Sequence, residues 1–180
     1  MTIYKAVEIR HYNFIPQDKL FLDANIWLYL YGPPKPMSRW RSIYSSVFNR
    51  ILRAKSRIYI DVLIVSEFIN AYARLKWRDT ATHPNTFKAF RSSSDFTPIA
   101  EDIVANVELM LNYCSKIESG FTTLPINNLL ADYISGDFDF NDQVITEICK
   151  NNGLVLITND GDFKTQEIPV LTANPSLLTN

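Results

Sequence analysis

Five carboxylates of this 180-residue chain stand where apolar runs stop or where a helix should carry them. Asp23 closes the run KLFL, Asp160 and Asp162 follow LVLIT, Glu67 lies in SEFINAYAR and Asp142 in DFDFNDQVI. A strand that ends in Asp and hands over to a helix puts the carboxylate at the carboxyl edge of a parallel sheet, where open α/β folds build their sites. Carboxylates that meet there repel one another, and a hard divalent cation relieves the repulsion. Each also has a plain structural reading: Asp23 and Asp142 as helix caps, Glu67 as a solvated helix residue, Asp160-Gly161 as a turn. Taken singly, those readings prevail. Together they weaken, because independent caps need not share one sheet edge or include a Glu inside a mostly apolar helix. An all-oxygen donor set suits Mg²⁺ or Mn²⁺ rather than zinc, and such an ion activates water against a phosphate ester. Thr158 and Asn25 are small polar groups able to orient a carboxylate, and Ser66 is a weaker candidate.

Other chemistries find little support. The two histidines, His11 and His83, fall in peripheral or loop segments, which disfavours a histidine base. There is no Gly-x-Ser-x-Gly elbow and no Gly-x-x-x-x-Gly-Lys loop. Cys114 and Cys149 lack metal-ligand spacing and read as reduced, buried thiols of a cytoplasmic protein. No apolar stretch is long enough to span a bilayer, and the amino terminus lacks a signal-peptide core.

The elements that must position these groups alternate between strand and helix. Residues 19–23 read as a buried strand followed by a short helix to Tyr31, which Gly32-Pro33-Pro34 stops. Ser38 is placed to cap a helix through Leu52, and RIYID at 57–61 is a second strand whose Asp61 can cap the next helix. In that helix Val62, Val65, Phe68, Ile69, Tyr72 and Ala73 mark the buried stripe, with Glu67, Asn70 and Arg74 on another face. Residues 79–97 lack a sustained period and read as an inserted loop, a lid or binding element. Thr97-Pro98 opens a further helix, Phe121–Leu124 is a short strand candidate, and a helix near Ile126–Ile134 closes at Gly136. After Asp137–Asp142 come a helix ending at Gly153, the strand Leu154–Thr158 and a last strand at Pro169–Leu171. Residues 1–18 form an extension with loose alternation, an outer strand or a partner-binding arm. The pattern predicts one α/β domain over residues 1–180, a parallel sheet with helices on both faces.

The net charge of −1 conceals an asymmetry: residues 1–91 carry 15 Lys and Arg against 6 acids, and residues 92–180 carry 3 against 13. Lys35, Arg39, Arg41, Arg50, Arg53, Lys55 and Arg57 follow one another without an acid between them. A basic platform beside an acidic centre suits a polyanion cut with the help of metal.

The succession LFLDANIW, VSEFINAYAR and FNDQVITEICKNNGLVLITNDGDF resembles the PIN-domain ribonuclease family, which includes VapC-type toxins. The resemblance spans about residues 19–171, and its most specific part is the tail from Asp142 to Asp162. It implies a three-layer α/β/α sandwich with a central, mainly parallel sheet of about five strands. It also implies endonucleolytic hydrolysis of single-stranded or structured RNA with Mg²⁺ or Mn²⁺ held by Asp23, Glu67, Asp142 and Asp160. Asp162 shares the segment of the fourth acid, Asn25 and Thr158 match supporting positions, and Asp139 is a fifth ligand or part of the loop. Lys35, Arg39, Arg41, Arg74, Lys76 and Arg78 would contact RNA phosphates, and Trp27, Tyr31, Trp40 and Trp77 are stacking candidates, with core packing the better default for Trp27 and Trp40. An antitoxin protein and a second copy of the chain are further partners the resemblance raises. Two departures stand out, the eighteen residues ahead of the first strand and the long 79–97 segment. The rival readings are a PIN-like RNA- or protein-binding module without turnover and, behind it, an Asp-nucleophile phosphatase or receiver domain. The first predicts salt-sensitive RNA binding without products; the second wants a late Lys that Lys164 does not supply well.

Overall fold

The computed structural model describes residues 6–33, 38–80, 85–136 and 139–179. Leu20, Phe21 and Leu22 are all buried, as a parallel strand covered by helices on both faces requires. They belong to β2 (Lys19–Leu22); the other strands are β1 (Val7–Glu8), β3 (Arg57–Ile60), β4 (Cys114–Lys116), β5 (Val155–Ile157) and β6 (Val170–Thr172). The six form one sheet in the order β1-β6-β5-β2-β3-β4, and every neighbouring pair is parallel.

The helices are α1 (Ala24–Tyr31), α2 (Arg39–Ala54), α3 (Val62–Asp79), α4 (Phe87–Arg91), α5 (Phe96–Tyr113), α6 (Ile126–Ser135), α7 (Phe140–Asn152) and α8 (Pro175–Leu178). α1 packs on α2 and α3, and α3 on α5, while α6 packs on α7. α1 to α5 lie in the connections from β2 through β3 to β4, and α6 and α7 in the return from β4 to β5, which runs the opposite way across the sheet, so the right-handed rule puts the two groups on opposite faces. The result is the three-layer α/β/α sandwich, with six strands rather than about five. The chain reverses direction across the sheet between β2 and β5, so the crevice for a site lies at their carboxyl ends.

Four local expectations are corrected. Residues 121–124 form a turn, and the strand lies earlier, at Cys114–Lys116. Residues 79–97 are not all loop. Thr86 caps α4 by accepting a hydrogen bond from the Ala89 amide at 3.1 Å, and Phe90 anchors it, 1% exposed. α5 starts at Phe96, ahead of the Thr97-Pro98 signal, because the Phe96 ring packs on Phe90 at 5.4 Å between centroids. On α3 the buried stripe is Ile64, Phe68, Tyr72 and Ala73, whereas Val62 and Ile69 face solvent. The amino-terminal extension contributes β1, paired with β6 through Val7 and Leu171, and buries Ile9 and Phe14. Among the described residues no helix is long and apolar enough to cross a membrane.

Candidate active site

Asp23 follows β2 and precedes α1, the position of an N-cap, yet its side chain makes no capping hydrogen bond. Oδ2 instead receives the Thr158 hydroxyl at 2.6 Å and the Asn25 amide at 2.5 Å. The register explains the meeting: Leu22 pairs with Ile157, and the Asp23 amide donates to the Ile157 carbonyl at 3.0 Å. Thr158 has no exposure, and its Oγ1 also accepts from Asn25 Nδ2 at 3.2 Å and from the Asp160 amide at 3.0 Å. One donated and two accepted bonds saturate that hydroxyl and lock the carboxylate in place.

A second ring of polar contacts holds the turn after β5. The Asn159 amide donates to Asn25 Oδ1 at 3.2 Å, and its Nδ2 donates to the Tyr29 hydroxyl at 3.3 Å. The buried Tyr44 hydroxyl reaches Asn159 Oδ1 at 3.0 Å and accepts from the Ala173 amide at 3.1 Å. Asn174 Nδ2 closes the ring on the Asn159 carbonyl at 2.8 Å. Sequence reading missed Asn159, Tyr44 and Asn174, because their contacts join positions 15 to 130 residues apart and leave no local pattern.

Glu67 projects from the first half of α3 and accepts a hydrogen bond from Asn141 Nδ2 on α7 at 2.7 Å. Asn141 was also missed; its only sequence signal is its place beside Asp142. Asp142 lies half-buried in the first turn of α7, and among the described residues none donates a hydrogen bond to it. Asp139 is exposed and caps α7 through the Asn141 amide at 2.8 Å. Asp160 caps the 3-10 turn at Gly161–Thr165 through the Asp162 amide at 3.1 Å, and both residues are exposed.

These groups share one electrostatic field. Burial pushes Asp23 up to about 6 against the pull of the Thr158 hydrogen bond, and the charge of Asp160 adds to the rise. Burial lifts Glu67 to about 7, with Asp23 and Asp139 adding to it and Asn141 opposing. Asp142 also rises to about 7, first by burial and then through Asp23, Asp160, Asp139 and Asp162. The field extends beneath α7, where burial and then Asp23 push the Cys149 thiol up. The two ion pairs among the described residues, Arg10–Glu8 and Lys150–Glu147, lie outside the cluster. Among the described residues no ion pair offsets the acidic charge.

The donor chemistry therefore fits a hard divalent ion. Among the described residues no three His, Cys, Asp or Glu side chains are grouped to hold a metal on their own.

The basic residues divide. Lys35 lies outside the described residues. Arg41 is committed to the fold, donating to the Gly32 and Pro33 carbonyls at 2.9 and 3.1 Å. Arg41 also lines a cavity of about 220 Å³ with Asn25, Leu28, Tyr29, Pro33, Ser38 and Leu75, which reaches the acidic edge at Asn25. Arg50 is likewise structural, holding the Arg10 and Tyr12 carbonyls and lying over Phe14. Arg39, Arg74 and Arg78 are exposed, and Lys76 is half-buried. Trp27 is fully buried against Tyr31 and Phe48, a core residue.

A comparison with curated proteins finds no match. Among solved structures the fold is similar to a chain of the VapBC2 complex from Rickettsia felis, solved bound to a DNA fragment from its promoter. The TM-score is 0.54 at 14% identity, covering 86% of this chain and 98% of that one. The PIN domain profile matches residues 20–168, from β2 to just before β6. The chain belongs to the PIN-domain family of nucleases.

Proposed function

We propose that this protein is a metal-dependent endoribonuclease whose ion is held by Asp23, Glu67, Asp142 and Asp160, with Asp162 nearby. The observation that supports it most is the mutual electrostatic influence of buried Asp23, half-buried Glu67 and Asp142, and exposed Asp160, none of which forms an ion pair among the described residues. A bound Mg²⁺ or Mn²⁺ supplies charge neutralisation and water activation. The chain's own residues do the rest. Thr158 and Asn25 fix the Asp23 carboxylate through Oδ2. Asn141 sets Glu67 from the facing helix, and the tyrosine–asparagine ring keeps Asp160 at the rim. Positioning of this kind within the crevice confines the phosphodiester to one orientation. Asp139 serves mainly as the cap that starts α7.

The substrate reading, RNA, rests on the charge asymmetry and on the exposed arginines of α2 and α3. The likeness to a VapBC complex supports a toxin role with an antitoxin protein as partner, and a homodimer and a cytoplasmic setting are further parts of this proposal. The test replaces Asp23 or Asp142 by Asn and follows cleavage of a labelled RNA in Mg²⁺ or Mn²⁺. Folded variants that cut as fast as the parent would remove the metal-site assignment. RNA binding by the parent without metal-dependent products would favour a module without turnover.

A further inference from the structure

On α3 the direction of Glu67 is repeated by Arg74 and Arg78. Steps of seven and eleven residues return to within about 20° of the same line at 100° per residue. Arg74 therefore stands about 10 Å, and Arg78 about 16 Å, along the helix from the carboxylate that faces the acidic edge. Both are exposed, and among the described residues neither is paired with an acid.

The short helix α4 comes to meet this stripe. Its Phe87 ring lies beneath two guanidinium groups, Arg74 at 4.7 Å and Arg91 at 5.9 Å from the ring centroid. The ring is fixed from below by an aromatic chain: Trp77 to Phe87 at 5.7 Å, Phe87 to Phe90 at 6.4 Å, Phe90 to Phe96 at 5.4 Å. Stacking restrains a guanidinium while leaving its in-plane N–H groups free, the form in which Arg grips phosphate. Lys88 and Lys76 add positive charge, and Asp79 is the one acid on α4 and the second half of α3. The nearest acids beyond are Asp95, Glu101 and Asp102 on the approach to α5 and within it.

We propose that α4 and the second half of α3 form a subsite that tracks a nucleic-acid backbone. Arg74 and Arg91, held on Phe87, and Arg78 grip phosphates away from the scissile bond. The ligand class is a single-stranded RNA extending several nucleotides past the cut, a substrate statement that rests on the ribonuclease reading above.

Fluorescence anisotropy of a labelled 20-nucleotide single-stranded RNA in EDTA tests it without turnover. With the double variant R74A/R91A, affinity should fall tenfold or more, and the salt slope should lose about 1.4, at about 0.7 per phosphate contact. The pair R74K/R91K should restore most of the slope. In Mg²⁺, cleavage of the 20-mer should show a raised KM. Both side chains are exposed and lose only their contacts with Phe87, so thermal melts should stay within several degrees of the parent's. An unchanged slope in R74A/R91A overturns the subsite while leaving a cleaving parent enzyme intact. A changed slope in a parent that cuts no RNA keeps the subsite and removes the nuclease reading. A polyglutamate peptide bound as tightly, with the same arginine dependence, would make this an acidic-protein surface and overturn the proposal.

Discussion

Asp23 and Asp61 occupy equivalent places on neighbouring strands, each the residue between a buried parallel strand and the helix that follows, and each almost without exposure. Their fates differ. Asp61 caps α3 by accepting from the Leu63 amide at 2.8 Å, the local role that such a residue ordinarily takes. Asp23 makes no capping bond, is held instead by the side chains of Thr158 and Asn25, and sits within the field of Asp160, Glu67 and Asp142. The strand order decides between them. β2 borders β5 at the point where the chain reverses across the sheet, whereas β3 borders β4, whose end brings Ile117 and no Thr equivalent. One local pattern thus serves as scaffold in one crevice and as chemistry in the next.

The largest expected contrast is in cleavage. Asp23→Asn should lower the rate by at least about 100-fold, more than the usual loss for a group that only supports a ligand. Its melting temperature in EDTA should stay level or rise, since a buried charge is removed. A variant that loses activity only because it unfolds would erase the distinction from Asp61.

The pH dependence of stability follows next. The folded-state value of Asp23, about 6, lies above its ordinary 3.8, so the native state holds the proton more tightly than the unfolded chain. Stability contributed by this group is present below about pH 4 and is lost as pH rises through 6. Two units correspond to on the order of 3 kcal/mol. Glu67 and Asp142, raised to about 7, act in the same direction and extend the window upward. Urea midpoints in EDTA should therefore fall between pH 4.5 and 7.5, and Mg²⁺ should recover them at the higher pH. A flat profile would mean that the cluster is better solvated than its burial indicates.

Thr158→Ala should cost roughly 10- to 100-fold in cleavage and about 1 to 3 kcal/mol in stability, by removing the donor that fixes Asp23. Thr158→Ser should restore most of both, measured side by side. The smallest effect belongs to the other strand. Asp61→Ala should cost about 1 kcal/mol by loss of the cap, with cleavage within twofold of the parent. A large fall in cleavage there would break the contrast between the two crevices.

The strands that frame the site were legible because Leu20–Leu22, Ile58–Ile60 and Leu154–Ile157 are apolar runs closed by polar residues at a sheet edge. β4 was not. Cys114-Ser115-Lys116 is short, with only Cys114 partly buried and Ser115 and Lys116 exposed on the outer rim, and the apolar end of α5 runs straight into it. The sequence offered Phe121–Leu124 as the strand candidate nearby. The chain turns there instead, with Gly120 at φ 67 and the Thr123 hydroxyl donating to the Gly120 carbonyl at 2.9 Å. The acidic residues could be picked out one by one. What the order of residues could not reveal was their neighbours: Asn141 meets Glu67 across 74 positions, and Tyr44 meets Asn159 across 115. The basic run misled in part, since Arg41 and Arg50 spend their charge on backbone carbonyls that only the folded chain assembles.

β1 has a consequence for how the molecule behaves in a crowd. Its two residues cover the outer side of β6, and Arg50 ties the backbone just beyond them through the carbonyls of Ile9, Arg10 and Tyr12. Without that cover, the fully buried Val170–Thr172 would present open amides and carbonyls to any passing extended chain, a template for aggregation. The opposite rim guards itself differently, being brief and carrying Lys116. Removal of the first dozen residues would leave the carboxylates where they are and expose a sticky flank, so insolubility rather than inactivity is the first damage such a truncation would bring.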